Sequence, residues 1–199
     1  MTDEHYFTAD PSVPFTREPF TCEAWGHRLD LVSGSGVYSR GHLDVGTAQL
    51  LRETRPPSSG HVLDLGCGYG VIGLAMLVAS SDVTVTGVDV NERALLLARE
   101  NAERLGVAER YVATTPDAAT GTSYDEIWSN PPIRIGKQAL HELLQLWLPR
   151  LAPGGRAVLV VGKHLGADSL QRWLGAQGWP TTRLATSKGF RVLEARHAT

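Results

Sequence analysis

From residue 60 onward, short apolar runs alternate with longer stretches whose apolar positions recur at helical spacing. Residues 61–65 are a short apolar run ending in glycines, residues 71–79 read as a buried helix, and residues 83–88 as a β-branched strand ending at Asp89. This is a strand–helix–strand unit. Asn91 is placed to cap the next helix, where Ala94, Ala98, Ala102 and Leu105 share one face and Gly106 offers a left-handed stop. A short strand follows at 111–114, and a fourth at 125–128 must end at Pro131-Pro132, since neither ring can donate to a ladder.

The stretch 138–150 carries Leu140, Leu143, Leu144, Trp147 and Leu148 at i, i+3, i+4, i+7 spacing, which predicts a helix packed on the core. Pro153-Gly154-Gly155 reads as a turn, 157–161 as a buried strand, and Asp168 as the cap of a last helix running to about 176. Strands at 181–186 and 190–194 flank Ser187-Lys188-Gly189, so the chain is expected to close on an antiparallel hairpin. The pattern as a whole is that of an α/β domain.

Residues 1–59 follow a different pattern. A small hairpin is expected from 20–25 and 28–32 across Gly26-His27, and a helix from 47 to 53, before the Pro/Ser loop at 55–59. The stretch is sparse in apolar side chains and is read as an N-terminal extension of the domain at 60–199. A length of 199 residues with 42% hydrophobic content suits one well-buried domain. The opening residues lack the basic-then-apolar order of a signal peptide and no long apolar run appears, which predicts a cytoplasmic protein without membrane attachment.

Cys22 and Cys67 are too few and too far apart for a disulfide framework, and the seven histidines show no ligand spacing, so no metal is expected. A net charge of −2 gives no sign of a general nucleic-acid binder. Any affinity for nucleic acid must come from a local patch.

The chemistry is concentrated in two segments. Asp64-Leu65-Gly66-Cys67-Gly68-Tyr69-Gly70 spaces its glycines as G-x-G-x-G, unlike the G-x-G-x-x-G turn that receives a dinucleotide pyrophosphate. With an acid two residues before the first glycine, the turn suits a cofactor with an amino-acid tail. Asp64 is placed to meet an ammonium, Gly66, Gly68 and Gly70 to admit the cofactor, and Asp89, at the next strand end, to accept both ribose hydroxyls. S-adenosyl-L-methionine fits this arrangement better than NAD. Asp89 can equally serve as a helix cap.

The second segment is Ser129-Asn130-Pro131-Pro132-Ile133. An exocyclic amine on an aromatic ring or amide is a poor nucleophile because its lone pair is delocalised, so an enzyme must hold the NH2 through its hydrogens. The side-chain oxygen of Asn130 and the carbonyl of Pro131 are candidate acceptors, stiffened by the proline rings. The plainer reading is a strand terminator.

With both segments in view, the chain resembles class I S-adenosylmethionine-dependent methyltransferases, and within them the small methyltransferase domain of RsmC-type ribosomal RNA guanine-N2 methyltransferases. The likeness extends to Gly36-Val37-Tyr38-Ser39, Leu43-Asp44-Val45-Gly46-Thr47, the segment from Asn130 through Arg134 to Lys137, and Lys188-Gly189-Phe190-Arg191-Val192-Leu193. It implies a Rossmann-like seven-stranded sheet, mostly parallel with an antiparallel last strand and helices on both faces. It also implies cofactor contacts at Asp64, Gly66, Gly68 and Asp89, Asp117 near the adenine, and Asn130 with Pro131 at the target amine.

Thr115-Pro116-Asp117 departs from the family's usual acid-plus-bulky pair. Ile133 stands where many relatives carry a stacking aromatic, and the second half of the two-domain relatives has no counterpart. Acceptor recognition then falls to the first 59 residues, to a partner, or to homodimerisation. The three lysines, Lys137, Lys163 and Lys188, each follow a strand at the carboxyl edge of the inferred sheet. Together with Arg134 and Arg191, and next to Pro132 and Ile133, they are candidate contacts for an RNA acceptor; the alternatives are solvated turn lysines and a small-molecule or protein amide acceptor. A cofactor-binding module without catalysis is a further alternative.

Overall fold

The computed structural model describes residues 14–119, 123–131 and 136–197. A hairpin of β1 (Arg17–Ala24) and β2 (His27–Gly34) leads to helix α1 (Val45–Glu53). The alternating part follows: β3 (Ser59–Leu65), α2 (Val71–Ala79), β4 (Asp82–Val88), α3 (Glu92–Arg104), β5 (Tyr111–Thr114), β6 (Tyr124–Ser129), α4 (Lys137–Trp147), β7 (Leu151–Gly162), α5 (Ala167–Ala176), β8 (Thr181–Ser187) and β9 (Phe190–Arg196). The seven strands from β3 onward form one sheet in the order β5-β4-β3-β6-β7-β9-β8. Pairing is parallel from β5 to β7, and β9 runs antiparallel to both β7 and β8.

Alternation along the central strands explains the two layers of helices. Val62, Trp128, Val158 and Val160 face the core shared with α1, α2 and α3, while Leu63, Ile127, Leu159 and Val161 face the core shared with α4 and α5. With both faces covered, the strands read in the sequence as near-continuous apolar runs. Strand order reverses beside β3, so the ends of β3 and β6 diverge there and leave a crevice at the carboxyl edge of the sheet.

Three local expectations need correction. Asp168 does not cap α5: Gly166 occupies the N-cap with φ 93°, and the Asp168 carboxylate instead ion-pairs with Arg183 and Arg191 of the last hairpin. Two guanidiniums outcompete the helix terminus for that carboxylate. The Pro153-Gly154-Gly155 turn lies inside β7 as a bulge, because Tyr124 pairs with Leu151 while Glu126 pairs with Arg156. Gly155 is needed there, since a Cβ would come within 2.7 Å of the Asp125 carbonyl oxygen.

The third concerns the stretch before β3, whose described residues 14–59 contribute more core than its composition suggests. Leu29, Leu31, Leu50 and Leu51 are buried in one cluster with Leu74 and Val85. Asn101 of α3 fastens β2 in place by mimicking a strand: its side-chain oxygen accepts from the Val32 N–H at 2.7 Å, and its NH2 donates to the carbonyls of Val32 (2.9 Å) and Tyr69 (3.0 Å). Asn91 caps α3 through the N–H groups of Arg93 and Ala94, and its NH2 reaches the Gly36 carbonyl at 2.7 Å. Among the described residues no helix is long and apolar enough to cross a membrane, and no cluster of three metal-ligating side chains occurs.

Candidate active site

A cavity of about 290 Å³ opens at the reversal of strand order, between the loops that follow β3, β4 and β6. One wall is the glycine turn. The Gly66 and Cys67 N–H groups both donate to the Val88 carbonyl, at 2.8 and 3.0 Å, which folds the turn over the end of β4. Gly68, with φ 54°, lines the cavity, and a Cβ built on it meets no atom within 4 Å. The backbone there is bare toward the cavity.

Asp89 lines the same wall and is held by the backbone: one carboxylate oxygen accepts from Gly68 N–H and the other from Asn91 N–H, both at 2.9 Å. The cap of α3 is Asn91, so Asp89 keeps lone pairs for a ligand. Burial raises its pKa, and the N–H groups of Asn91, Gly68 and Val90 pull it back.

Other expected cofactor residues sit differently. Gly70 caps α2 with φ 91° and does not line the cavity; a Cβ there would meet Leu74, Tyr111 and Ala98 at 3.0–3.2 Å. Its place is in the packing of α2 against its neighbours. Asp64 is fully buried behind the turn, where one oxygen accepts from Gly73 N–H at 2.9 Å. Its other oxygen has no hydrogen-bond partner among the described residues, and burial pushes its carboxyl up to about 7. Asp117 is exposed and outside the cavity, because the turn closed by Ala118 N–H on the Thr115 carbonyl presents Pro116 to the cavity instead. Cys67 is a buried thiol whose pKa is raised well above the ordinary value by burial, so it is not a nucleophile.

The opposite wall is built on Asn130 and Pro131 at the end of β6. The Ser129 hydroxyl donates to the Leu65 carbonyl at 2.6 Å and locks the end of β6 to the end of β3, which fixes the next residue. The Asn130 side-chain NH2 then donates to the Asp44 carboxylate at 2.7 Å and to the Thr47 hydroxyl at 3.0 Å. A carboxylate can only accept, so the atom 2.7 Å from it must be the nitrogen. Both amide hydrogens are thereby engaged, and the amide oxygen is the remaining polar atom.

Asp44, Thr47 and Tyr38 are residues that motif spacing did not mark for chemistry. Their signal lay in the strings around Tyr38 and Asp44, and in an acid three residues before Thr47 at a helix start. Pro132, Ile133 and Arg134 lie outside the described residues.

Of the expected cationic residues, the three lysines are exposed and Arg191 is not. Lys163 and Lys188 are exposed, and the Lys163 N–H donates to the Gly189 carbonyl at 2.7 Å, joining the end of β7 to the last hairpin. Lys137 is exposed at the start of α4, beside a shallow depression with His141 and Trp173. Arg191 is buried and paired with Asp168, so it offers no surface charge.

The family model for the methyltransferase small domain matches residues 28–194. The chain belongs to this family. The methyltransferase is 30% identical to the uncharacterized protein YbxB of Bacillus subtilis over 97% of this chain and 98% of that protein. It is 33% identical to ribosomal RNA small subunit methyltransferase C of Pseudomonas aeruginosa over 96% of this chain, which spans 58% of that relative. Its fold is similar to the 16S rRNA N2 G1207 methyltransferase RsmC of T. thermophilus, solved with AdoMet and guanosine: TM-score 0.78, 24% identity, 94% of this chain and 52% of that one. The methyltransferase uses S-adenosyl-L-methionine. Its residues fit that group through the bare backbone of Gly68 and the Asp89 carboxylate in the cavity wall.

Proposed function

We propose that this methyltransferase acts on an exocyclic amine, and that the amine is guanine N2 in ribosomal RNA. The observation that carries the reading is the orientation of Asn130. With its NH2 consumed by Asp44 and Thr47, its oxygen is left as an acceptor, which with the Pro131 carbonyl makes a pair matched to the two hydrogens of an incoming NH2.

Bound S-adenosylmethionine supplies a methyl group on a sulfonium that leaves as a neutral thioether. The work of the protein is positional. Asp89 and the open backbone at Gly68 hold the donor on one wall; Asn130, with the Pro131 carbonyl, holds two amine hydrogens on the other, so that the nitrogen lone pair faces the methyl carbon. Positive charge developing on the amine nitrogen during transfer would strengthen the hydrogen bonds to Asn130 Oδ1 and the Pro131 carbonyl. The methylated amine is acidic and loses its proton to water, so no strong base is required.

The ribosomal RNA assignment rests on the 33% identity to ribosomal RNA small subunit methyltransferase C, strengthened by the fold shared with an enzyme solved with guanosine. The test is radiolabelled methyl transfer to ribosomal RNA followed by nucleoside mass spectrometry. N2-methylguanosine is the expected product, and Asn130→Ala should cut turnover by about 100-fold or more while S-adenosylhomocysteine affinity is unchanged. Labelling of adenine, or labelling of protein or small amides with none in RNA, would replace the acceptor; loss of cofactor affinity in Asn130→Ala would make Asn130 structural.

A further inference from the structure

The amide of Asn130 does not orient itself. Asn130 closes β6, whereas the groups that hold it, Asp44 and Thr47, stand at the start of α1, more than eighty residues earlier in the chain. Asp44 has three duties at once. One oxygen accepts from the Thr47 N–H at 3.0 Å, capping α1, and from the Asn130 NH2 at 2.7 Å; the other accepts from the Tyr38 hydroxyl at 2.7 Å. A cap needs the first contact alone.

Gly46 provides a second, independent sign that the arrangement is built around the Asn130 side chain. A Cβ at Gly46 would lie 3.0 Å from the Asp44 carboxylate oxygen, 3.0 Å from the Phe190 ring and 3.3 Å from the Asn130 nitrogen. Space is kept at the one point where a methyl group would press on both partners. Tyr38, Asp44, Thr47, Asn130 and Phe190 all line the cavity, so the chain of hydrogen bonds reaches the acceptor wall itself.

We propose that Asp44 is a positioning residue for methyl transfer: its carboxylate fixes the Asn130 amide with the oxygen toward the acceptor amine. This rests on the amine reading above. The charge adds to the geometry. A carboxylate drawing on the amide N–H raises electron density on the amide oxygen, so a Tyr38–Asp44–Asn130 chain makes that oxygen a better acceptor as the amine becomes cationic. Without Asp44 the amide can turn over and present hydrogens where an acceptor is needed. The N-terminal segment then belongs to the chemistry of the site as well as to the core.

The test separates this duty from capping. Serine caps helices about as well as aspartate but is one atom too short to hold both Thr47 N–H and Asn130. Asp44→Ser should keep the wild-type melting temperature within a few degrees and the affinity for S-adenosylhomocysteine, yet lose about tenfold or more in kcat. Asp44→Asn, whose oxygen can still accept from Asn130 while its NH2 faces the Tyr38 oxygen, should recover most of that loss. In an Asn130→Ala background Asp44→Ser should have no further effect, because the two losses pass through one group.

Independently of any acceptor, the side-chain NH2 resonances of Asn130, assigned by their disappearance in Asn130→Ala, should exchange slowly with solvent in the parent and rapidly in Asp44→Ser. Parent-like kcat in Asp44→Ser, additive losses in the double variant, or unchanged amide exchange would overturn the proposal. A parent enzyme that methylates no amine would overturn the functional reading instead, and the exchange measurement would still decide whether Asp44 holds the amide.

Discussion

At the scale of single residues, the two acids of the glycine turn divide the labour by burial. Asp89 stands in the cavity wall with both oxygens already anchored, whereas Asp64 is sealed behind the turn with one oxygen unsatisfied among the described residues. The consequence is a pH dependence. With the Asp64 carboxyl at about 7 in the folded protein and near 3.9 when unfolded, the folded state holds the extra proton between those values. Its contribution to stability is present below about pH 4 and lost as pH rises to about 7; the raised Asp89 acts with the same sign, and the lowered His61 with the opposite one. Asp64→Asn removes one of these alone. Between about pH 5 and 7.5 its unfolding free energy, from urea titrations, should change more favourably than that of the parent by about 1–3 kcal/mol. Parallel profiles for the two proteins would place the carboxyl at an ordinary pKa.

At the scale of elements, the β1–β2 hairpin is docked by polar contacts that the hydrophobic pattern does not announce. Asn101 satisfies the buried N–H and carbonyl of Val32 and the carbonyl of Tyr69, doing for β2 what a neighbouring strand would do. Asn101→Ala leaves those groups unpaired and should cost about 2–4 kcal/mol by urea denaturation, with faster hydrogen exchange concentrated in β2. A loss below about 1 kcal/mol would show that water replaces the amide. Because the hairpin leads through Tyr38 to Asp44, a loosened β2 is expected to lower turnover before it lowers cofactor affinity. In this reading the stretch from β1 to α1 acts as part of the catalytic unit.

At the scale of the whole molecule, a net charge of −2 must coexist with binding to a polyanion if the acceptor is RNA. The carboxyl edge of the sheet is the place where the two can be reconciled. Lys163 and Lys188 are exposed there on segments joined by the Lys163–Gly189 backbone hydrogen bond, while Arg191 is neutralised by Asp168. The paired variant Lys163→Ala with Lys188→Ala should weaken RNA binding and flatten the log–log salt dependence by about 0.7 for each phosphate of a single-stranded RNA that is no longer neutralised, with S-adenosylhomocysteine affinity unaltered. An unchanged slope in a filter-binding titration would remove both lysines from the interface.

Much of this protein is written in local sequence. Periodicity located the strands of the main sheet and its helices, α2 and β5 to the residue, because a strand covered on both faces and a helix covered on one leave different apolar spacings; β7 begins at Leu151 and not at 157, since its bulge carries the Pro-Gly-Gly that reads locally as a turn. The glycine turn and the Asn-Pro-Pro corner were equally plain, since they follow strand ends and need residue types that few other structures tolerate. Sequence could not say which partner a polar side chain would choose. Asp168 pairs with two arginines instead of capping its helix, Asp64 withdraws behind the turn, Arg191 turns inward, and Asp44 reaches the Asn130 amide while still capping α1. Apolar periodicity is a property of neighbours along the chain, whereas each of these contacts joins segments that become neighbours only when the sheet closes, and there the tertiary structure decides.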